Sequence, residues 1–399
     1  MNQQSADLPQ SGGTRLRALD GLRGIAAAIV VLHHSALLNA GVSDVYLQPG
    51  KPVVPGSFAA IVTQTPLQIL FSGQEAVLIF FVLSGLVVAL PPLNRGDFDW
   101  RAYYPRRMIR LLLPVAASVV LAVIVISLSL HDPSTAPSGW AAESSFGGIH
   151  WRDATRDLDV LISSDAYNNP LWSLRYELLF SILLPLYVVV AALAGRWWWA
   201  VTIGAGIAIG AGLLIGDANW VYLPVFLLGT LMAARLAGRR PLRRNPLPAR
   251  WRVVLGIALL LLGIALLEAR WELTPLRPGS ETLTSAAQLL SVLGAALIVL
   301  VAVVWAPFAR FLELRFVQWL GRISFSLYLV HVPILIATAW FLHGIAWYWT
   351  PLVAVPVAVL VATLFARFVE GPSHRLSQRV GRAVARRPRV GASTPRVAE

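Results

Sequence analysis

Residues 19–35 read LDGLRGIAAAIVVLHHS, an apolar run that opens with Asp20 and Arg23 and closes on the pair His33 and His34. About 20 apolar residues span a ~30 Å hydrocarbon core, so the run marks a membrane helix. A charge at the centre of such a span costs ~2.5 to 3.5 kcal/mol on insertion scales, and each ionisable group therefore needs a partner or a task. Arg23 and His34 are 11 residues apart. That spacing puts them within about 20° of one helix face and roughly 16 Å apart along the axis. Asp20 lies near the same face and His33 does not; Ala27 and Val30 make the strip between them small and smooth. A packing explanation competes, in which Arg23 snorkels, Asp20 caps the helix and His34 hydrogen-bonds a neighbouring helix.

The whole chain has the same character. Of 399 residues, 57% are hydrophobic and 13% charged, whereas a soluble chain carries about a quarter charged residues. Apolar runs predict an all-α integral membrane protein with about ten transmembrane helices in one bundle, at 22–40, 68–90, 107–129, 170–194, 197–215, 219–237, 252–269, 285–306, 318–342 and 347–368. The first run is read as a retained span, not a cleaved signal peptide. The net charge of +13 is concentrated in alternate loops and in the C-terminal tail. By the positive-inside rule both termini are cytoplasmic, in a multi-pass protein of the inner or plasma membrane, and nucleic acid is not an expected partner. Residues 1–14 and 374–399 read as a polar N-terminal tail and a basic C-terminal tail flanking a membrane domain at 15–373. The loop after the third span, with Trp140 and several Asp, is long enough to cover the outer mouth. No cysteine is present, which removes thiol nucleophiles and thiolate metal sites.

Helical rise places four ionisable residues at similar depth. His34 on the first span, Glu75 on the second, Glu177 on the fourth and His331 on the ninth all fall roughly 10 to 12 Å from the outer boundary. Ser173, Glu177 and Ser181 recur every four residues and make a polar stripe. Two His and two Glu in one layer suit acid/base chemistry or proton transfer. At the cytoplasmic edge, Arg106, Arg107 and Arg110 form a cationic fork level with Arg23. Positive-inside anchoring explains such a fork, and so does a phosphate-bearing ligand, since guanidinium groups grip phosphate bidentately. No paired His spacing suggests a metal.

Six blocks in order then carry a family pattern: LDGLRGIAAAIVVLHH (19–34), FFVLSGLVVAL (80–90), RRMIRLLLP (106–114), WSLRYELLF (172–180), LGRISFSLYLVHVPI (320–334) and FVEGPSHR (368–375). The chain resembles the acyltransferase 3 family of integral-membrane acyltransferases, which modify hydroxyls of envelope polysaccharides, lipid-linked sugars and some macrolides. The family's Arg and His map onto Arg23 and His34, leaving His33 as the extra residue, and its arginine motif maps onto Arg107 and Arg110. Leu86 and Arg175 depart from the family's usual residues, and no fused hydrolase-like domain is expected.

The resemblance implies an O-acyltransferase using acyl-CoA, with acetyl as the acyl group. Its phosphates would lie against Arg23, Arg107 and Arg110, with His34 as the base. Glu177 or Glu75 would orient His34, and Ser173, His331 and Asp20 would line the site. The acceptor would be a hydroxyl of a sugar, glycolipid, envelope polysaccharide or macrolide-like molecule. The rival reading is a proton-coupled secondary transporter, because His and Glu at one depth also describe a proton relay.

Overall fold

The computed structural model describes residues 11–48, 51–94, 96–129, 135–144, 151–159, 167–237, 248–277 and 279–385. Helix α1 (Ser11–Ala36) carries the opening stretch, and the chain then bends by 107° into α2 (Ala40–Leu47). Asn39 makes the corner: its side chain accepts from the Val42 amide at 3.2 Å, and the first span ends at Ala36 instead of residue 40. After α3 (Phe58–Thr63), Pro66 opens a single 3-10 turn at Pro66–Leu70. That turn delays α4 (Gly73–Asn94) past the expected start at 68. Asp99 caps α5 (Trp100–Ser127), accepting from the Ala102 amide. Two short helices follow, α6 (Gly139–Glu143) and α7 (Trp151–Leu158). The remaining helices are α8 (Leu171–Ala194), α9 (Trp198–Ile215), α10 (Ala218–Leu236), α11 (Ala249–Leu267), α12 (Ala269–Leu273), α13 (Glu281–Val304), α14 (Ala306–Leu312), α15 (Arg315–Phe341), α16 (Trp349–Phe365) and α17 (Gly371–Ala385).

No strand occurs among the described residues. Eight of their helical units are long and apolar enough to cross a membrane, or nine if the bent pair α1 and α2 is one span. The expected ten differs because Leu171–Ile215 is one unit of 45 residues that holds both α8 and α9. Gly195, at φ +43°, breaks it, in a left-handed conformation that glycine adopts without strain.

Helix extends into both expected tails. It begins at Ser11, and α17 continues through Ala385; residues 1–10 and 386–399 lie outside the described residues. Ser373, Ser377 and Gly381 recur every four residues on α17 and are buried. This small-residue stripe lies on α5, with Ser373 Oγ donating to the Ile109 carbonyl at 2.9 Å and the Arg106 side chain crossing Gly381.

Helices α1 and α15 form the centre of the bundle. The apolar window of α15 is 89% buried, against 17% for α11. The two central helices run parallel and meet at Gly24 and Gly321, where a Cβ on Gly24 would sit 2.4 Å from the Gly321 amide nitrogen and one on Gly321 2.4 Å from the Asp20 carbonyl. Ten residues further along each helix stand His34 and His331. A ten-residue step returns to the same seam of two parallel packed helices, so the glycine contact sets the approach of the histidines. Valine at Gly24 or Gly321 is expected to lower stability by ~1–3 kcal/mol or more and to disrupt the histidine pair, measured as thermal unfolding of purified protein. Gly204 has nothing within 4 Å of its virtual Cβ, and Gly204→Ala should not lower the unfolding temperature.

Candidate active site

The contact between α1 and α15 brings two imidazoles together. His331 Nε2 lies 3.0 Å from His34 Nδ1, and both rings are buried. The Nδ1 of His331 faces the carbonyls of Leu327 and Tyr328 at 3.0 and 2.9 Å. Carbonyls only accept, so this nitrogen carries the hydrogen. With both rings neutral, His331 Nε2 is then an acceptor. His34 Nδ1, within 3.0 Å of that nitrogen and of the Val30 carbonyl, must donate. The ring lone pair of His34 then falls on Nε2, the atom a general base needs.

Loop residues close over this pair. The indole of Trp140, on α6, lies 5.2 Å from the His34 ring, and its backbone amide donates to Ser43 Oγ at 2.9 Å. The Asn169 side chain lies within reach of the His34 ring. Asp157 at the end of α7 holds the approach to it, accepting from the amides of Tyr167 and Asn168 at 2.8 and 3.1 Å, while Asn168 Nδ2 donates to the Leu329 carbonyl at 2.9 Å. An apolar cluster of Leu37, Leu38, Val332, Leu335 and Trp340 covers the same end. His33 faces elsewhere: its Nδ1 bonds the Phe71 carbonyl at 2.7 Å, and Gly73 packs against its ring.

The expected glutamate partners lie apart from His34. Ser173 Oγ and Tyr328 OH share a hydrogen bond of 2.7 Å. Glu177 stands one turn beyond Ser173, away from His331, which puts it roughly 10 Å from the level of the histidines. Its carboxylate forms an ion pair with Arg107 and accepts from Ser84 Oγ at 2.5 Å, while Arg107 Nε donates to Ser181 Oγ at 2.9 Å. Arginine partnership draws Glu177 toward the other end of the bundle, and with it the polar stripe of α8. Glu75 is buried near the histidine end, but its Oε1 accepts from Trp271 Nε1 at 3.1 Å. The side-chain partner of His34 Nδ1 is therefore His331, not a carboxylate.

At the opposite end, Arg23 pairs with the more exposed Asp20 at 3.8 Å. Arg110 lies within electrostatic reach of Arg23, Arg107, Asp20 and Glu370, and Ser326 Oγ donates to Glu370 at 2.6 Å. Three guanidinium groups thus share one end, one of them engaged by Glu177. Among the described residues no group of three His, Asp or Glu is placed to hold a metal.

Residues that the sequence reading passed over include Asn169, Tyr328 and a group around Glu268. Glu268 follows α11, is buried, and accepts from Ser72 Oγ at 2.6 Å. Burial pushes its carboxyl up to about 8, and neighbouring Glu75 adds to the shift. The folded protein then holds a proton that the unfolded chain releases above its ordinary value of 4.5, so stability should fall as pH rises from about 4.5 to 8. In Glu268→Gln this part of the pH slope should vanish, with the largest gain over wild type near pH 8, read as unfolding temperature against pH.

A family model described as an acyltransferase domain matches residues 16–368. The chain is similar to O-acetyltransferase PaAT-1 of Phomopsis amygdali, 33% identical over 135 residues, covering 31% of this chain and 26% of that protein. It is also similar to the putative peptidoglycan O-acetyltransferase YrhL of Bacillus subtilis (strain 168), 27% identical over 319 residues, covering 74% of this chain and 49% of that protein. The chain thus spans less than half the length of either relative. No solved structure matches it significantly. The family model extends across nearly the whole helical bundle, from α1 through α16 and both ends of the candidate site; the chain belongs to the acyltransferase 3 family.

Proposed function

We propose that this protein is a membrane O-acetyltransferase that takes an acetyl group from acyl-CoA at the arginine end and transfers it to a hydroxyl at the histidine end. The observation that carries the reading is the shared helix: α1 bears Arg23 beside Arg107 and Arg110, and, about 16 Å further along, His34 against His331. That length matches an extended pantetheine arm. As the acceptor oxygen attacks the thioester carbonyl, His34 Nε2 takes its proton; the C–O bond forms, the C–S bond breaks, and the proton passes from His34 to the departing thiolate. The hydrogen bond to His331 holds His34 in the tautomer that can do this. The apolar cover and Trp140 keep water from the thioester. Arg23 and Arg110 grip the phosphates, and Glu177 positions Arg107.

The same reading sets the topology. A 45-residue unit would be about 68 Å long if straight, more than twice the ~30 Å core, so α8 and α9 count as two spans. With α1 as a further span the total is ten, the arginine end faces the cytoplasm, and both termini lie there. The test is transfer of labelled acetyl from acetyl-CoA to a hydroxyl acceptor in purified membranes. Label should appear in ester linkage with wild type and be lost with His34→Ala. Equal labelling by the two proteins would overturn the proposal.

A further inference from the structure

Helix α17 has one face that the bundle does not use. At 100° per residue, Ser373, Ser377 and Gly381 fall within about 80° of arc, and this is the face buried on α5. Arg375, Arg379 and Arg382 fall within about 60° of one another on the opposite side, and all three are exposed. Leu376, Val380 and Ala383 form the strip beside them, with Leu376 42% exposed. The outer surface of α17 is therefore a row of arginines edged by an apolar row.

These arginines have no carboxylate partner. No ion pair among the described residues involves α17. The neighbouring sequence offers none: residues 371–398 hold seven arginines and no Asp or Glu. Like charges three and four residues apart on one helix repel each other. An anion from outside the chain is the missing complement.

The position of α17 selects the source of that anion. Trp349–Ala385 is one helical unit of 37 residues, about 55 Å if straight against a ~30 Å core, so α17 emerges from the hydrocarbon. It does so beside the first turns of α5, tied to Ile109 and crossed by Arg106. The same turns carry the packed rings of Trp100, Tyr103 and Tyr104, residue types enriched at the membrane–water boundary. Just before α17, Arg367 lies over the ring of Phe368, which is 65% exposed. A soluble anion would pair with the arginines and leave the apolar row in water. Lipid headgroups with the adjoining acyl-chain edge cover both rows.

We propose that the outer face of α17 is a docking surface for anionic phospholipid headgroups, with Arg375, Arg379 and Arg382 on the phosphates and Leu376 and Val380 at the acyl-chain edge. The surface requires α17 to lie at the membrane boundary and is independent of the transfer reaction.

Purified full-length protein is placed in nanodiscs of phosphatidylcholine alone or mixed with phosphatidylglycerol, and amide hydrogen exchange is followed by mass spectrometry. Peptides covering 371–385 should exchange about tenfold more slowly in the mixed bilayer, because each arginine near an anionic surface strengthens binding about fivefold. Raised salt should remove the difference. Replacing Arg375, Arg379 and Arg382 together by Gln should abolish it, whereas replacing all three by Lys, which keeps the charges, should retain it. Leu376→Asn should weaken it. His34→Ala should show the same slowing as wild type, since the surface stands apart from the transfer reaction. Exchange in α1 and α15 that matches wild type reports that each variant is folded. Soluble glycerol phosphate added to the phosphatidylcholine discs should leave exchange unchanged; slowing there would make the partner a free phosphate and overturn the proposal. Absence of slowing with phosphatidylglycerol in wild type, or equal slowing in the folded Gln variant, would overturn it as well.

Discussion

His34→Ala should lower acetyl transfer by roughly 10²- to 10⁴-fold, the range for loss of a positioned general base, with the KM for acetyl-CoA nearly unchanged. The base is removed while the arginines some 16 Å away stay in place. His331→Ala tests the geometry more sharply, because His331 acts through His34. Its loss frees His34 Nδ1 from the hydrogen bond of 3.0 Å and lets the ring adopt the unproductive tautomer. The expected effect is ~1–3 kcal/mol, or roughly 5- to 150-fold in kcat, with a displaced pH–rate profile that a purely structural defect would not give. His331→Gln, which can still accept from His34, should recover part of the rate. His33→Ala should retain transfer while unfolding at lower temperature, since His33 bonds the Phe71 carbonyl and packs on Gly73. A folded His33→Ala protein as inactive as His34→Ala would sink this assignment.

Much of this arrangement is legible in the sequence because it lies along single helices. The face shared by Arg23 and His34 follows from helical periodicity alone, and the depth of His331 follows from its distance from Gln318. Which residues meet across helices is a different kind of information. Depth arithmetic places His34, His331, Glu75 and Glu177 near one level, but it holds nothing about lateral position or about what draws a side chain up or down. Arg107 supplies that missing cause for Glu177: α5 and α4 bring a guanidinium and the Ser84 hydroxyl to the carboxylate, and the acid is committed there. His34 takes the partner that α15 offers, through the close approach of Gly24 and Gly321.

Loop contributions are hidden for a related reason. Trp140 and Asn169 have no periodicity to place them, and only the folded course of α6 and the Asp157 anchor brings them to His34. The segment EARWE at 268–272 reads as an ordinary charged span end. The available signal was the coincidence of Glu, Arg and Trp within one turn of α12, which folds back so that Arg270 and Trp271 reach Gln74 and Glu75 on α4.

The arginine end should show two behaviours from chemically similar substitutions. Arg110→Ala and Arg23→Ala should fold and should raise the KM for acetyl-CoA by about 10- to 100-fold, the worth of one charge-assisted hydrogen bond to phosphate, with kcat little altered. The defect should grow less marked as salt is added, because wild type loses the same interaction to screening. Acetyl-pantetheine lacks the nucleotide phosphates and should be used equally well by wild type and both variants; an equal loss with that donor would refute phosphate binding at these residues. Arg107→Ala should behave differently. The side chains of Arg107 and Glu177 are only 13% and 14% exposed, so removing the cation strands a buried carboxylate, a change that destabilises by ~3–5 kcal/mol. Loss of folded protein should therefore dominate over any change in KM. Combining Arg107→Ala with Glu177→Gln removes the stranded charge and should restore much of the unfolding temperature without restoring donor affinity. That coupling separates the structural task of Glu177, holding Arg107, from the donor-binding task of Arg23 and Arg110.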